Sequence, residues 1–140
     1  MQLHVNHSPD PGEAARFAAD IIEMAADISG AELDYSPASI GVIEDIVDGF
    51  RAEGATSGEM ADSLVAFGCY VGEVVIRHVG GSWQHTTDAL RVVPLAVRLP
   101  GQRDCHPVDW VFRRLELGSR GSIRELYEAA LASVAAEADG

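Results

Sequence analysis

The residues with the strongest claim to chemistry lie in one stretch, Gly68 to Trp83, and centre on Glu73. Glu73 stands inside the most apolar run of the chain, where a carboxylate is costly unless it is paired or protonated. Arg77 follows four residues later, the favoured orientation for an ion pair along a helix. Trp83 carries a donor-only indole N–H that reaches Glu73 if the chain turns back at Gly80-Gly81. Two roles follow for Glu73. As architecture, it ties the helix to the next strand through Arg77 or Trp83. As chemistry, it is a carboxylate with a raised pKa in a cleft, serving as a ligand contact or general acid/base. The candidate ligand-binding set is then Tyr70, Glu73, Arg77 and Trp83. No partner nucleophile or metal cluster accompanies them, so the architectural role is expected first.

Other chemistries have weaker support. The five histidines are His4, His7, His78, His85 and His106. His4 and His7 are three apart, Cys105 merely adjoins His106, and neither Cys-x-x-Cys nor His-Glu-x-x-His occurs. His78, His85 and His106 are the one set that folding could gather. There is no Gly-x-Ser-x-Gly nucleophile elbow. Cys69 reads as a small core residue and Cys105 as an exposed loop thiol. Gly80-Gly81-Ser82 lacks the Gly-Lys-Ser/Thr of a phosphate loop and follows a helix rather than a strand. Arg113-Arg114 can meet an anionic ligand or pair with acids elsewhere in the chain. No catalytic residue, metal or cofactor is assigned, and a non-enzymatic role is expected.

The elements that must position these residues are mainly helical. A first helix is expected over Pro11–Ile28, with Phe17, Ile21, Met24 and Ile28 as the inner stripe and Arg16, Asp20, Glu23 and Asp27 opposite. A short extended segment, Ala31–Tyr35, leads to Ser36-Pro37 as cap and first residue of a second helix ending near Ala52. Its inner face is Ile40, Ile43, Val47 and Phe50, with Glu44, Asp45, Asp48 and Arg51 toward water. Thr56 and Glu59 have capping-box spacing ahead of a third helix to about Val79. That helix is apolar on all sides from Leu64 on, as a central buried helix is. Gly68 and Gly72, one turn apart, invite close approach by a neighbouring backbone. The pattern then shifts to extended segments around Trp83 and Val97, read as a small antiparallel hairpin or meander, with Pro94 marking an edge or a break. A loop from Pro100 to His106 precedes a fourth helix, Pro107–Leu117, with Val108, Val111, Phe112 and Leu115 inside. Ser122 and Glu125 open a fifth, with Ile123, Leu126, Tyr127, Ala130, Leu131 and Val134 apolar. Residues 137–140 are expected to fray. The class is α+β: about five helices in one domain over 1–140, with the sheet between the third and fourth.

The chain of 140 residues carries a net charge of −12. Residues 1–63 hold thirteen acids and two arginines, and residues 64–140 nine acids and eight arginines, so the acidity belongs to the first half. This disfavours contact with nucleic-acid phosphates and with anionic membranes. It suits solubility, docking of a basic partner, or self-association in which the acidic half meets arginines between Arg91 and Arg124. Two separated cysteines, no signal-peptide pattern and no spanning apolar segment fit a reducing cytoplasm. All ten basic residues are arginine, consistent with a GC-rich bacterial coding bias.

Gly72-Glu73, Gly80-Gly81-x-Trp83, Pro107-x-x-x-Val111-Phe112-x-Arg114-Leu115 and Ser122-Ile123-x-x-x-Tyr127 together resemble a family of small uncharacterised bacterial α+β domains. The resemblance spans Leu33 to Leu131, leaves out the first helix, and implies a fold without an activity. The expected function is a protein-interaction or regulatory module with an acidic face. The alternative is a small-ligand binder or enzyme with its pocket around Glu73, Arg77 and Trp83.

Overall fold

Helices punctuate this chain where its prolines, glycines and small polar caps allow. A computed structural model describes residues 10–88 and 91–139, the side chains at 28, 29 and 137–139 excepted. The helices are α1 (Ala14–Ser29), α2 (Ser39–Ala52), α3 (Ala61–His78), α4 (Pro107–Leu117) and α5 (Ile123–Asp139). A three-stranded antiparallel sheet lies between α3 and α4: β1 (Ser82–His85), β2 (Leu95–Arg98) and β3 (Asp104–Cys105), in the order β1-β2-β3. The fold is thus α+β and mainly helical. Expectations for His4, His7, Leu90 and Gly140, and for the side chains of Ile28 and 137–139, lie outside the described residues.

Side-chain hydrogen bonds close the turns ahead of α1 and α3 and open α5. Asp10 Oδ1 accepts the Glu13 N–H at 3.0 Å, which closes a turn at 11–13 and delays α1 past the expected Pro11. Thr56 and Glu59 make the reciprocal capping box at 3.1 and 3.2 Å, but it closes a turn that leads into α3 rather than its first residue. Ser122 Oγ accepts the Glu125 N–H at 3.1 Å and opens α5. Pro107 supplies the first residue of α4, where its missing N–H costs nothing.

α3 is the buried centre. Leu64, Cys69, Tyr70, Val71, Val74 and Val75 are sealed from solvent, with α1 and α4 packed against it. A Cβ on Gly68 would strike the Val108 backbone, so this glycine does let α4 approach closely. A Cβ on Gly72 would instead strike the Trp83 ring. On α1 the buried stripe keeps the expected Ile21 but is otherwise Ala14, Ala18 and Ala25; Phe17 is only partly buried and Met24 is 45% exposed. The alanines bring α1 closer to α3 than Met24 would permit. Leu131, expected on the inner face of α5, is also exposed.

In the sheet, Trp83 pairs with Val97 and Val97 with Cys105. β2 is the central strand and begins just after Pro94, which therefore marks a break and not an edge. The expected loop from Pro100 to His106 contributes β3, and Cys105 is consequently buried. Burial pushes the Cys69 and Cys105 thiols up to about 12, so Cys105 is not the exposed thiol its polar neighbours suggested.

Candidate functional site

α3, the Gly80-Gly81 turn and β1 together place the residues singled out from the sequence. Both glycines have φ near +110°, at +108° and +110°, which reverses the chain so that β1 returns alongside α3. Trp83 Nε1 then donates to Glu73 Oε2 at 2.9 Å. Arg77 lies 3.7 Å from the other oxygen, Oε1. Glu73 is 9% exposed, and a ligand reaching it would have to displace Trp83 or Arg77.

Tyr70 joins the cluster through a residue the sequence reading did not select. Tyr35 lies with its ring centroid 3.6 Å from the Arg77 guanidinium and 5.0 Å from the Tyr70 ring, stacked at 20°. It departs from the expected extended segment, with φ at +62°. Its N–H donates to the Tyr70 hydroxyl at 2.7 Å, and its carbonyl accepts from His78 Nε2 at 2.8 Å. The proton order beyond Tyr70 is fixed by counting. Ser39 Oγ donates its one hydrogen to the Ser36 carbonyl at 2.6 Å, so at 2.7 Å it accepts from Tyr70. Tyr70 is sealed from solvent, and burial raises its hydroxyl pKa above the ordinary value, with the Ser39 hydrogen bond opposing. Tyr35 is raised as well, chiefly by burial, with Arg77 opposing and Glu73 adding. The four expected residues are therefore together, arranged as a stack and a set of closed hydrogen bonds.

A second acid–arginine site was not anticipated. Glu44, expected to face water, is 7% exposed. Its Oε2 accepts the Ile123 N–H at 2.8 Å and the Arg124 N–H at 3.3 Å, at the N-terminus of α5. Arg114 Nη1 lies 3.4 Å from the same oxygen, and its Nε and Nη2 grip Asp48 at 2.8 and 2.7 Å in a two-pronged pair. The Asp48 hydrogen bond, with the Glu44 and Asp45 charges, raises the Arg114 pKa further against the effect of burial. Of the two open uses for Arg113-Arg114, Arg114 takes the pairing one. The signal in the sequence was a charge at the edge of the inner stripe of α4, between Val111 and Leu115.

The third feature is a groove of about 450 Å³ along α2, lined by Ala31, Val42, Asp45, Ile46, Gly49, Phe50 and Glu53. Ile46 and Phe50 also line an adjoining recess of about 70 Å³ with Met24, Met60 and Phe67. α2 thus carries two apolar stripes: Ile40, Ile43 and Val47 seal the core, while Val42, Ile46 and Phe50 remain half-buried. Gly49 leaves the groove floor open, since a Cβ there would meet nothing within 4 Å. Asp20 and Asp27 flank Met24 at helical spacing. Of the two arginines in this half, Arg16 pairs with Glu13 and Arg51 lies over Gly118. Among the described residues neither rim acid, Asp45 or Glu53, forms an ion pair, although the Asp45 charge also reaches Arg114.

Among the described residues, no group of three or more His, Cys, Asp or Glu is placed to hold a metal ion, and no helix is long and apolar enough to cross a membrane. No protein-family model, curated protein or solved structure matches the chain.

Proposed function

We propose that this chain is a protein-interaction module of regulatory or adaptor type, whose acidic face receives a basic amphipathic helix of a partner in the groove along α2. The observation that carries the reading is the second apolar stripe of α2, Val42, Ile46 and Phe50, left out of the sealed core and bordered by Asp45 and Glu53. A helix laid there buries an apolar face on the stripe while its flanking cations meet the rim, the helix-in-groove mode of recognition. The excess negative charge of residues 1–63 adds electrostatic attraction that speeds encounter and weakens with salt.

The test is a labelled synthetic helix with leucines along one face and arginines beside them, titrated by fluorescence anisotropy. Binding is expected to weaken as salt is raised and to fall at least about tenfold in Gly49→Met, which fills the groove from an open position. Asp45→Arg with Glu53→Arg should weaken it further. Equal binding of a scrambled peptide, or no loss in Gly49→Met, overturns the proposal. So does sedimentation showing that the groove pairs two copies of the chain instead.

A further inference from the structure

α4 also has an outward face that the core does not use, and it borders a cleft of about 470 Å³ closed by Arg91 and Val92 on one side and Leu126 on the other. The wall at Arg91 is internally satisfied. Its guanidinium pairs with Asp88 at 2.9 Å and Asp109 at 3.5 Å, and Asp109 also accepts the Val92 N–H at 3.2 Å. The remaining polar groups are different. Arg113 and Glu116 are opposite charges one turn apart on α4, both line the cleft, and among the described residues neither has an ion pair with the other or with any third group. The Trp110 indole N–H beside them has no acceptor among the described residues. The rest of the lining is His106, which faces the Arg91 wall, and the apolar Val92, Phe112, Leu117 and Leu126.

An unpaired cation and an unpaired anion one turn apart on α4, next to apolar side chains, match a ligand carrying the complementary pair on one carbon. We infer that the cleft binds a free α-amino acid with a large apolar side chain. Its carboxylate meets Arg113, its ammonium meets Glu116, and its side chain lies against Trp110, Val92 and Leu126. A simple anion would leave Glu116 opposed and a simple cation would leave Arg113 opposed, whereas a zwitterion satisfies both without adding net charge. This site lies on α4, apart from the groove on α2, and does not depend on the function proposed for it.

The probe is L-phenylalanine, titrated while the indole N–H resonances of Trp110 and Trp83 are followed by NMR. The Trp110 resonance is expected to shift and that of Trp83 to stay. Phenylalanine amide, which lacks the carboxylate, and N-acetylphenylalanine, which lacks the ammonium, should each bind at least about tenfold more weakly. Arg113→Gln should weaken phenylalanine but leave the amide unchanged, and Glu116→Gln should weaken phenylalanine but leave the N-acetyl derivative unchanged. Both side chains are exposed, so unchanged melting is expected to accompany these losses. No shift at Trp110, equal binding of all three compounds, or equal effects of both variants on every compound overturns the assignment.

Discussion

Glu73 and Glu44 are the same residue type on neighbouring helices, with side chains 11% and 10% exposed, and each is held near an arginine. They differ in the distance along the chain from which help arrives. Glu73 is served by Arg77 and Trp83, four and ten residues on, and closes a corner between α3 and β1. Glu44 is served by Arg114, Ile123 and Arg124 from the far end of the chain, and joins α2 to α4 and α5. Arg77 is half exposed and 3.7 Å away, the regime in which ion pairs contribute little. Arg114 is itself buried, so it cannot be removed without stranding acids that have lost their partner. Two chemically similar sites thus have different reach: one fixes a local turn, the other the placement of helices.

Substitutions can break or sharpen this contrast. The largest effect is expected for Arg114→Ala, a loss of about 3 kcal/mol in urea unfolding, the lower end for breaking a buried pair because Asp48 is partly exposed. A loss below about 1 kcal/mol would put the Glu44 site on the same footing as an ordinary surface pair. Gly72→Ala should follow at about 2 kcal/mol, since the new methyl displaces the Trp83 ring and its helix propensity only partly offsets that. A moved Trp83 indole N–H resonance would accompany it, and an unmoved one would contradict the packing described. Glu73→Gln keeps an acceptor for Trp83 and should cost about 1 kcal/mol. The smallest effect is the coupling between Glu73 and Arg77, expected below about 0.5 kcal/mol in a double-mutant cycle, against well above 1 kcal/mol for Glu44 with Arg114. Similar coupling energies would erase the distinction.

The same contrast explains what could be read from the sequence. α4 was legible to the residue because Pro107 and Gly118 bracket it, and α3 because its apolar run admits no solvent face. Glu73 stood out as a charge against that background, and its two partners were local. Glu44 was hidden among Asp45, Asp48 and Arg51, whose spacing describes a wet face, and no local pattern points to a partner seventy residues away. Tyr35 was missed because its geometry is imposed by α3 and not by its neighbours in the chain. Met24 drew attention by its size, whereas three of the four residues in the buried stripe, all but Ile21, are alanines, which hydrophobicity patterns register only weakly. Cys105 looked wet because a two-residue strand among polar residues leaves almost no periodicity.

Tyr35 carries one more consequence. A left-handed backbone costs a non-glycine residue about 1–2 kcal/mol, and here the amide, the carbonyl and the ring are all held by side chains of α3. The linker between the first two helices is therefore a cast taken from the α3 surface. Were the C-terminal half of α3 to loosen, the mould would go and the tyrosine would relax into an ordinary backbone basin. Its amide proton is a built-in gauge of the integrity of the protein's central helix, readable by hydrogen exchange at a single position.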